Sequence, residues 1–296
     1  MSISARIADS EVLFTMPNVD NIHPLCLNCK NFLGGPSSGY YRISNMRYEL
    51  AGRVALVTGA SRGLGAAIAV SLGQRGARVG VNYHASAAKA EAVCEAVRKA
   101  GGEAMAVHAD VRDEEQVRAM VDAVGTQWGP VDILVVNATG PQPFLAIEQQ
   151  TWQAYLDQLE FFVKSPLLLL QAVLPEMKER RYGRVIQIGS EVFEIGNPRF
   201  ANYVAAKGAQ YGQTRSWARE LAPWNITVNL IAPGWIPTER HDGTSPEDLA
   251  IYAAGVPMKR QGLPADVGEA AAYLASDSAR FVTGQKIAVN GGNTLE

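Results

Sequence analysis

The chain has 296 residues, 47% hydrophobic and 19% charged, with a formal net charge of −2. That is a soluble globular profile, long enough for one large α/β domain or two small ones, and it holds no basic excess on which nucleic-acid binding could rest. No run reaches the roughly 18 apolar residues of a membrane span, and the N-terminus lacks a basic segment leading into an apolar core, so a cytoplasmic protein is expected.

Residues 1–48 read as an N-terminal extension. They include "NFLGGPSSGYYR" and show no sustained period of 2 or 3.6, which predicts mostly irregular structure. Cys26 and Cys29 form a C-x-x-C, and the third cysteine is Cys94. A structural zinc needs two further ligands. No second pair exists, and His23 and His84 make no spacing signature, so no metal is expected.

From Leu50 onward, short β-branched runs alternate with longer helical patterns. The predicted strands are "VALVT" (54–58), "RVGVN" (78–82), "AMAVHA" (104–109), "DILVVNA" (132–138), "RVIQIGS" (184–190), "ITVNLIAP" (226–233) and "KIAVNGG" (286–292). Nearly continuous apolar strands separated by helices indicate parallel strands covered on both faces. The expected architecture is a Rossmann-type, doubly wound α/β fold. It has a parallel sheet of about seven strands flanked by helices, as a single domain over residues 49–296.

The first of these strands runs into "GASRGLGAAIA", where Gly59, Gly63 and Gly65 stand between strand and helix. Glycines there allow a tight turn and close backbone approach to a pyrophosphate, which the helix N-terminus attracts. The second strand ends "VGVNYHAS". No carboxylate is present to take a ribose 2′-OH, whereas Arg62 in the glycine loop can meet a 2′-phosphate, so NADP(H) is favoured over NAD(H). Asp110 is placed to accept from the adenine amino group, and Asn137 and Ala138 end the fourth strand beside the crevice.

Next along the chain, "YLDQLEFFVKSPLLLLQAVLPEM" (155–177) is the densest apolar run, broken by Lys164 and Pro166. It is predicted as the fourth core helix, packed on the sheet and against a neighbouring subunit. Ser190 then ends the fifth strand, and Tyr203 and Lys207 follow at i and i+4 on one helix face. A phenol near pKa ~10 is a poor acid–base at neutral pH. An ammonium one turn away is expected to lower that pKa, while the serine hydroxyl holds a substrate oxygen.

In these motifs the chain from about Leu50 to Asn293 resembles the classical short-chain dehydrogenase/reductase family, in particular its 3-oxoacyl-[acyl-carrier-protein] reductase type. The motifs are "TGASRGLG", "VNATG", "GS…YVAAK", "ITVNLIAPGWIPTE" and "FVTGQKIAVNGG". The resemblance implies carbonyl–alcohol chemistry with NADP(H) or NAD(H), a small-molecule substrate, and a homotetramer or homodimer. It implies that Ser190 orients the carbonyl, Tyr203 donates the proton, and Lys207 holds the nicotinamide ribose. Ser61, Leu64 and Val111 join the implied cofactor contacts, with Pro233, Gly234 and Ile236 lining the nicotinamide pocket and Thr238 bonding the cofactor. "TERHDGTSPEDLAIYAAGVP" (238–257) would be a loop-like substrate lid.

Two positions depart from the family pattern. Val136-Asn137-Ala138-Thr139 stands for N-N-A-G, with Gly140 following to supply local freedom. Phe162 stands where a proton-relay asparagine is usual, and it cannot hydrogen-bond water. Water would then reach Lys207 by another path, with Glu160 or Glu191 as helpers. The leading reading is an active NADP(H)-dependent oxidoreductase. The alternatives are a catalytically impaired dinucleotide-binding sensor or assembly protein, and an interaction module centred on the extension. Phe144, Phe193 and Phe200 are candidate pocket residues, and Arg180, Arg181 and Arg184 a candidate docking surface for an acidic carrier protein.

Overall fold

The computed structural model describes residues 4–8, 11–15 and 49–295, and the chain divides into two compact units, Met1–Met46 and Arg47–Glu296. In the first unit, β1 (Ser4–Ala8) pairs antiparallel with β2 (Glu11–Thr15), Ala8 opposite Glu11. The extension is therefore not irregular over this stretch. Ile7, Val12 and Phe14 favour strands, and so short a hairpin carries no sustained period to read. Cys26, Cys29 and His23 lie outside the described residues.

The second unit begins with β3 (Val54–Val57), α1 (Gly63–Gln74), β4 (Arg78–Tyr83), α2 (Ala87–Lys99), β5 (Glu103–His108), α3 (Glu114–Trp128) and β6 (Ile133–Val136). It continues through α4 (Trp152–Leu159), a π turn (Glu160–Lys164), α5 (Ser165–Arg180), β7 (Gly183–Ile188), α6 (Val192–Ile195) and α7 (Ala201–Leu221). It closes with β8 (Ile226–Pro233), α8 (Pro246–Gly255), α9 (Pro264–Ala275) and β9 (Lys286–Val289). The seven strands β3–β9 form one parallel sheet in the order β5-β4-β3-β6-β7-β8-β9. The chain leaves β3 toward β4 and returns to its other side as β6. This reversal of strand order opens a crevice beyond the C-terminal ends of β3 and β6.

Successive strand residues point to opposite faces, which divides the core in two. Val57, Ile133 and Ile231 pack with Ile68 and Leu72 of α1, Val97 of α2 and Leu274 of α9. On the other face, Leu56, Leu134 and Val228 pack with Met120 of α3, Leu169 of α5 and Leu221 of α7. Each such buried Leu or Ile is worth about 1.5–3 kcal/mol of transfer free energy. A sheet covered twice explains why its strands read as apolar runs rather than alternating ones. Among the described residues, no helix is long and apolar enough to cross a membrane.

The stretch from Tyr155 to Met177 is two helices rather than one. Pro166 has no N–H for the Phe162 carbonyl, so the α pattern cannot continue through it. The Ser165 N–H instead bonds the Glu160 carbonyl, one residue further back than in an α-helix, and the chain widens into the π turn. That turn carries Phe162 into the interior, where it is 2% exposed.

The N-terminal edge of the sheet holds a charge cluster. Asp132 accepts from the Val54 N–H (2.9 Å) and Arg180 Nη1 (2.5 Å). Arg184 is buried and pairs with Asp277 (3.1 Å), and Arg181 donates to the Pro223 carbonyl (2.7 Å). Of the three candidate docking arginines, Arg184 is therefore taken into the fold, whereas Arg180 and Arg181 remain exposed at the end of α5. A run of basic residues in sequence does not reveal that Asp132 pairs with Arg180 and Asp277 with Arg184.

Candidate active site

The parallel register brings the site residues to one edge. Val57 pairs with Val135, Val136 with Gln187, and Ile188 with Ile231, so the segments after β3, β6, β7 and β8 leave the sheet side by side. They deliver the glycine loop, Asn137, Ser190 and Pro233 to the same crevice.

The glycine loop is held from both sides. The Gly59 N–H donates to Asn82 Oδ1 (3.0 Å), while Asn137 Nδ2 donates to the carbonyls of Thr58 (2.8 Å) and Gly59 (3.2 Å). Thr58 Oγ1, which sequence reasoning missed, accepts from the N–H groups of Asn137 (2.9 Å) and Ala138 (3.1 Å). Asn82 and Asn137 thus shape the loop through their side chains. Gly59 (φ +60°) and Gly63 (φ +59°) adopt the left-handed region. The first turn of α1 has no acidic residue, and Arg62 before it offers no side-chain cap. Its N–H donors therefore face the crevice uncapped, and they fit a pyrophosphate.

A Cβ on Gly65 would stand 2.5 Å from Asn137 Nδ2 and 2.6 Å from the Gly59 carbonyl oxygen. Gly65→Ala is therefore expected to cost about 1–3 kcal/mol of stability from overpacking. Loss of dinucleotide affinity in calorimetry should accompany it, because the strained atoms are the loop itself.

The remaining expected cofactor contacts separate into two kinds. Arg62 is exposed at the loop and Ser61 borders it. Leu64 and Val111 send their side chains into the core, as does Ile236, so only their backbones can serve the crevice. Asp110 already accepts from the Arg112 N–H (2.9 Å), Nε (3.0 Å) and Nη2 (2.7 Å). The Arg112 guanidinium, through these hydrogen bonds, holds its carboxyl below the usual range. An adenine amino group would have to share that carboxylate. Gly234 donates to the Val289 carbonyl (3.1 Å) beside Pro233, and Thr238 Oγ1 contacts His241 Nδ1 (3.3 Å). The lid itself is less loop-like than expected. Ser245 caps α8 by accepting from the Asp248 N–H (3.1 Å), with Pro246 at the first turn.

At the centre, Tyr203 and Lys207 stand one turn apart on α7, both buried. Lys207 Nζ donates to the Ile188 carbonyl (2.7 Å) and Gln210 Oε1 (3.0 Å), and sits 3.8 Å from the centroid of the Phe162 ring. Phe162 therefore does not simply fill a cavity. It gives the ammonium an aromatic face and meets Tyr203 edge-on at 5.4 Å. Neither expected helper reaches Lys207. Glu160 pairs with Arg112 (3.7 Å) and Lys164 (3.9 Å), while buried Glu191 accepts from Tyr252 (3.1 Å), Asn290 (2.9 Å) and Asn293 (3.0 Å).

The expected lowering of the Tyr203 pKa is not found. Burial pushes the phenol up to about 12, opposed by a hydrogen bond with Ser190, the charge of Arg240 and a hydrogen bond with Gln142. Lys207 does not counter this rise because its ammonium is turned toward Ile188 and Gln210. Burial, then the charge of Arg240, drives Lys207 well below the usual ammonium range. Gln142 and Gln210, which border Tyr203 and Lys207, lie outside the recognised motifs and were passed over, whereas Arg240 fell within the expected lid without being singled out.

The other departure does not crowd the glycine loop. Thr139 is exposed, and its Oγ1 accepts from Gln142 Nε2 (3.0 Å), so its branched side chain stays out of the glycine loop. Gly140 provides the close approach instead, since a Cβ there would meet the Phe161 ring at 2.3 Å. Phe144 stacks on Phe200 (4.2 Å), which leans on Tyr203 (4.7 Å), whereas Phe193 packs on Tyr211 (5.4 Å) away from them.

A family model described as enoyl-(acyl carrier protein) reductase matches residues 59–294. The chain is 42% identical to the 3-oxoacyl-[acyl-carrier-protein] reductase FabG of Staphylococcus aureus, over 80% of this chain and 96% of that protein. It is 40% identical to the enzyme of the same name from Vibrio cholerae, over 82% of this chain and 98% of that one. In three dimensions it is similar to a Serratia marcescens short-chain dehydrogenase/reductase double mutant, with TM-score 0.78 and 34% identity over 84% of this chain and all of that one.

Proposed function

The chain belongs to the short-chain dehydrogenase/reductase family, and we propose that it is an NADPH-dependent reductase of ketones in which Tyr203 is the proton donor. As a member of that family it is an oxidoreductase acting on C=O and CH–OH groups with NAD(P). The observation that carries the finer reading is the convergence of Ser190 and Tyr203, linked by a hydrogen bond, beside a glycine loop with uncapped N–H donors.

When bound, the dinucleotide supplies the hydride that adds to the carbonyl carbon. Ser190 Oγ–H and Tyr203 O–H converge on the carbonyl oxygen, and the Tyr203 proton passes to that oxygen as the alkoxide forms. At neutral pH a phenol held up at about 12 is fully protonated, the state a donor needs. Oxidation of the alcohol runs the same proton back. Lys207 meets the nicotinamide ribose and stabilises the tyrosinate left behind, after release from Ile188 and Gln210. Gly59, Gly63, Gly65 and Asn137 shape the phosphate cradle, and Arg62 takes a 2′-phosphate. The reading as a catalytically impaired sensor rested on Thr139 and Phe162. Thr139 faces solvent and Phe162 seats Lys207, so neither residue favours it.

NADPH absorbance with a panel of ketones tests the proposal. Turnover is expected with NADPH preferred over NADH in kcat/KM. Arg62→Glu should cut NADPH use by about ten- to a hundredfold, the worth of a charge-assisted contact, and leave NADH use nearly unchanged. Equal loss with both cofactors would remove Arg62 from the 2′-phosphate site.

A further inference from the structure

Arg240 is the unusual group in the lid. It lies in the short turn after Thr238, and its Nη2 reaches across the crevice to the Gly140 carbonyl oxygen. Among the described residues no carboxylate pairs with it, and its bond to Gly140 is to a neutral acceptor. Its neighbour Glu239 points the other way, with Oε2 3.7 Å from where a Cβ on Gly63 would stand. A guanidinium has five donors in a planar fork that matches a carboxylate. One bond to Gly140 leaves most of that fork unused, on an exposed side chain over the mouth of the site.

Aromatic rings lie on the neighbouring segments. Phe144 stacks on Phe200, which leans on Tyr203, and Trp235 meets Tyr252 at 5.2 Å and His241, next to Arg240, at 6.0 Å. The charge of Arg240 is felt at both Tyr203 and Lys207, so the guanidinium is close to the reacting centre. Bringing a second cation so near a buried ammonium has an electrostatic cost, which an incoming anion offsets.

We infer that Arg240 recognises a carboxylate on the substrate, which makes free oxo acids and the matching hydroxy acids the substrate class. Esters, thioesters and neutral ketones of the same shape are then the disfavoured ones. The bond to Gly140 holds the guanidinium over the crevice before substrate arrives. The inference rests on Ser190, Tyr203 and Lys207 being the reaction centre, and the redox step is unchanged: hydride to the carbonyl carbon, proton from Tyr203 to its oxygen.

The test uses acetoacetate and its longer straight-chain homologues, each beside its ethyl ester. Protein loaded with NADP+ is titrated calorimetrically with each compound, which cannot be reduced in that complex, and turnover is followed with NADPH. Wild type should favour each acid over its ester. Arg240→Met should lower kcat/KM for the acids by about thirtyfold or more, weaken acid binding in parallel, and leave the esters within about threefold. Arg240→Lys should recover part of the loss. Equal losses for acid and ester, or a loss of NADPH affinity instead, would overturn the inference, the latter assigning the guanidinium to the cofactor phosphates. Failure of every compound to turn over while acid binding still depends on Arg240 would sink the assigned reaction and leave the carboxylate site standing. Acid binding indifferent to Arg240 would do the reverse.

Discussion

Tyr203→Phe should lose turnover by about 10²–10⁴-fold, the range typical of a positioned proton donor, and still bind NADPH with nearly wild-type affinity. The substitution removes one oxygen and keeps the ring. That ring packs between Phe162 (5.4 Å) and Phe200 (4.7 Å), contacts that do not involve the hydroxyl. Thermal stability should therefore stay close to wild type, which separates loss of chemistry from loss of fold. The necessary measurements are single-turnover reduction, NADPH titration by fluorescence and a melting curve on the same preparation. Retained full rate would mean that another group delivers the proton. Ser190 is the nearest alternative, being bonded to Tyr203, but an alcohol is a far weaker acid than a phenol.

Lys207→Met should also cost about 10²–10⁴-fold in rate, and it carries a second signature in stability. Burial holds the folded-state pKa of Lys207 well below its ordinary value. Between that lowered value and the unfolded value near ~10.4, the unfolded chain binds more protons than the native one, so this group makes stability rise with pH. Below the folded pKa the full penalty of a buried ammonium is present. Methionine has no proton to bind, and the variant should lose that part of the rise. Melting temperatures at about pH 6 and about pH 9 measure it, because the gap between variant and wild type must shift against the variant as pH increases. A gap independent of pH would show that Lys207 is not destabilised by burial in the free protein. Phe162 tempers the penalty without removing it, since a ring face attracts a cation by about 0.5–2 kcal/mol but cannot replace a carboxylate.

How much of this was legible in the chain depended on how local the cause was. The seven sheet strands were readable because burial on both faces leaves unbroken apolar runs such as Ile133–Val136 and Ile226–Pro233. The glycine loop, Ser190, Tyr203 and Lys207 were readable because their spacing is set by one strand, one turn or one helix. What escaped depends on contacts between distant segments. The pairing of Arg184 with Asp277, the use of Asn82 to hold Gly59, and the arrival of Arg240 at Gly140 have no trace in local pattern. Lys207 is the instructive case. Its position on the helix was evident, yet the direction of its ammonium is decided by the Ile188 carbonyl and by Gln210. Helical spacing alone does not decide which partners the ammonium meets.

The π turn at Glu160–Lys164 has a further meaning as a setting of helical phase. An α-helix advances about 100° per residue, so one surplus residue offsets α5 against α4 by nearly a third of a revolution. That offset lets Leu169, Val173 and Met177 face the sheet while Phe162, on the same length of chain, faces Lys207. Two surfaces that a regular helix would place in fixed angular relation are thereby oriented independently. Counting in this segment consequently matters more than composition: an exchange of one apolar residue for another leaves both faces in place, whereas the loss of a single residue turns one of them away from its target.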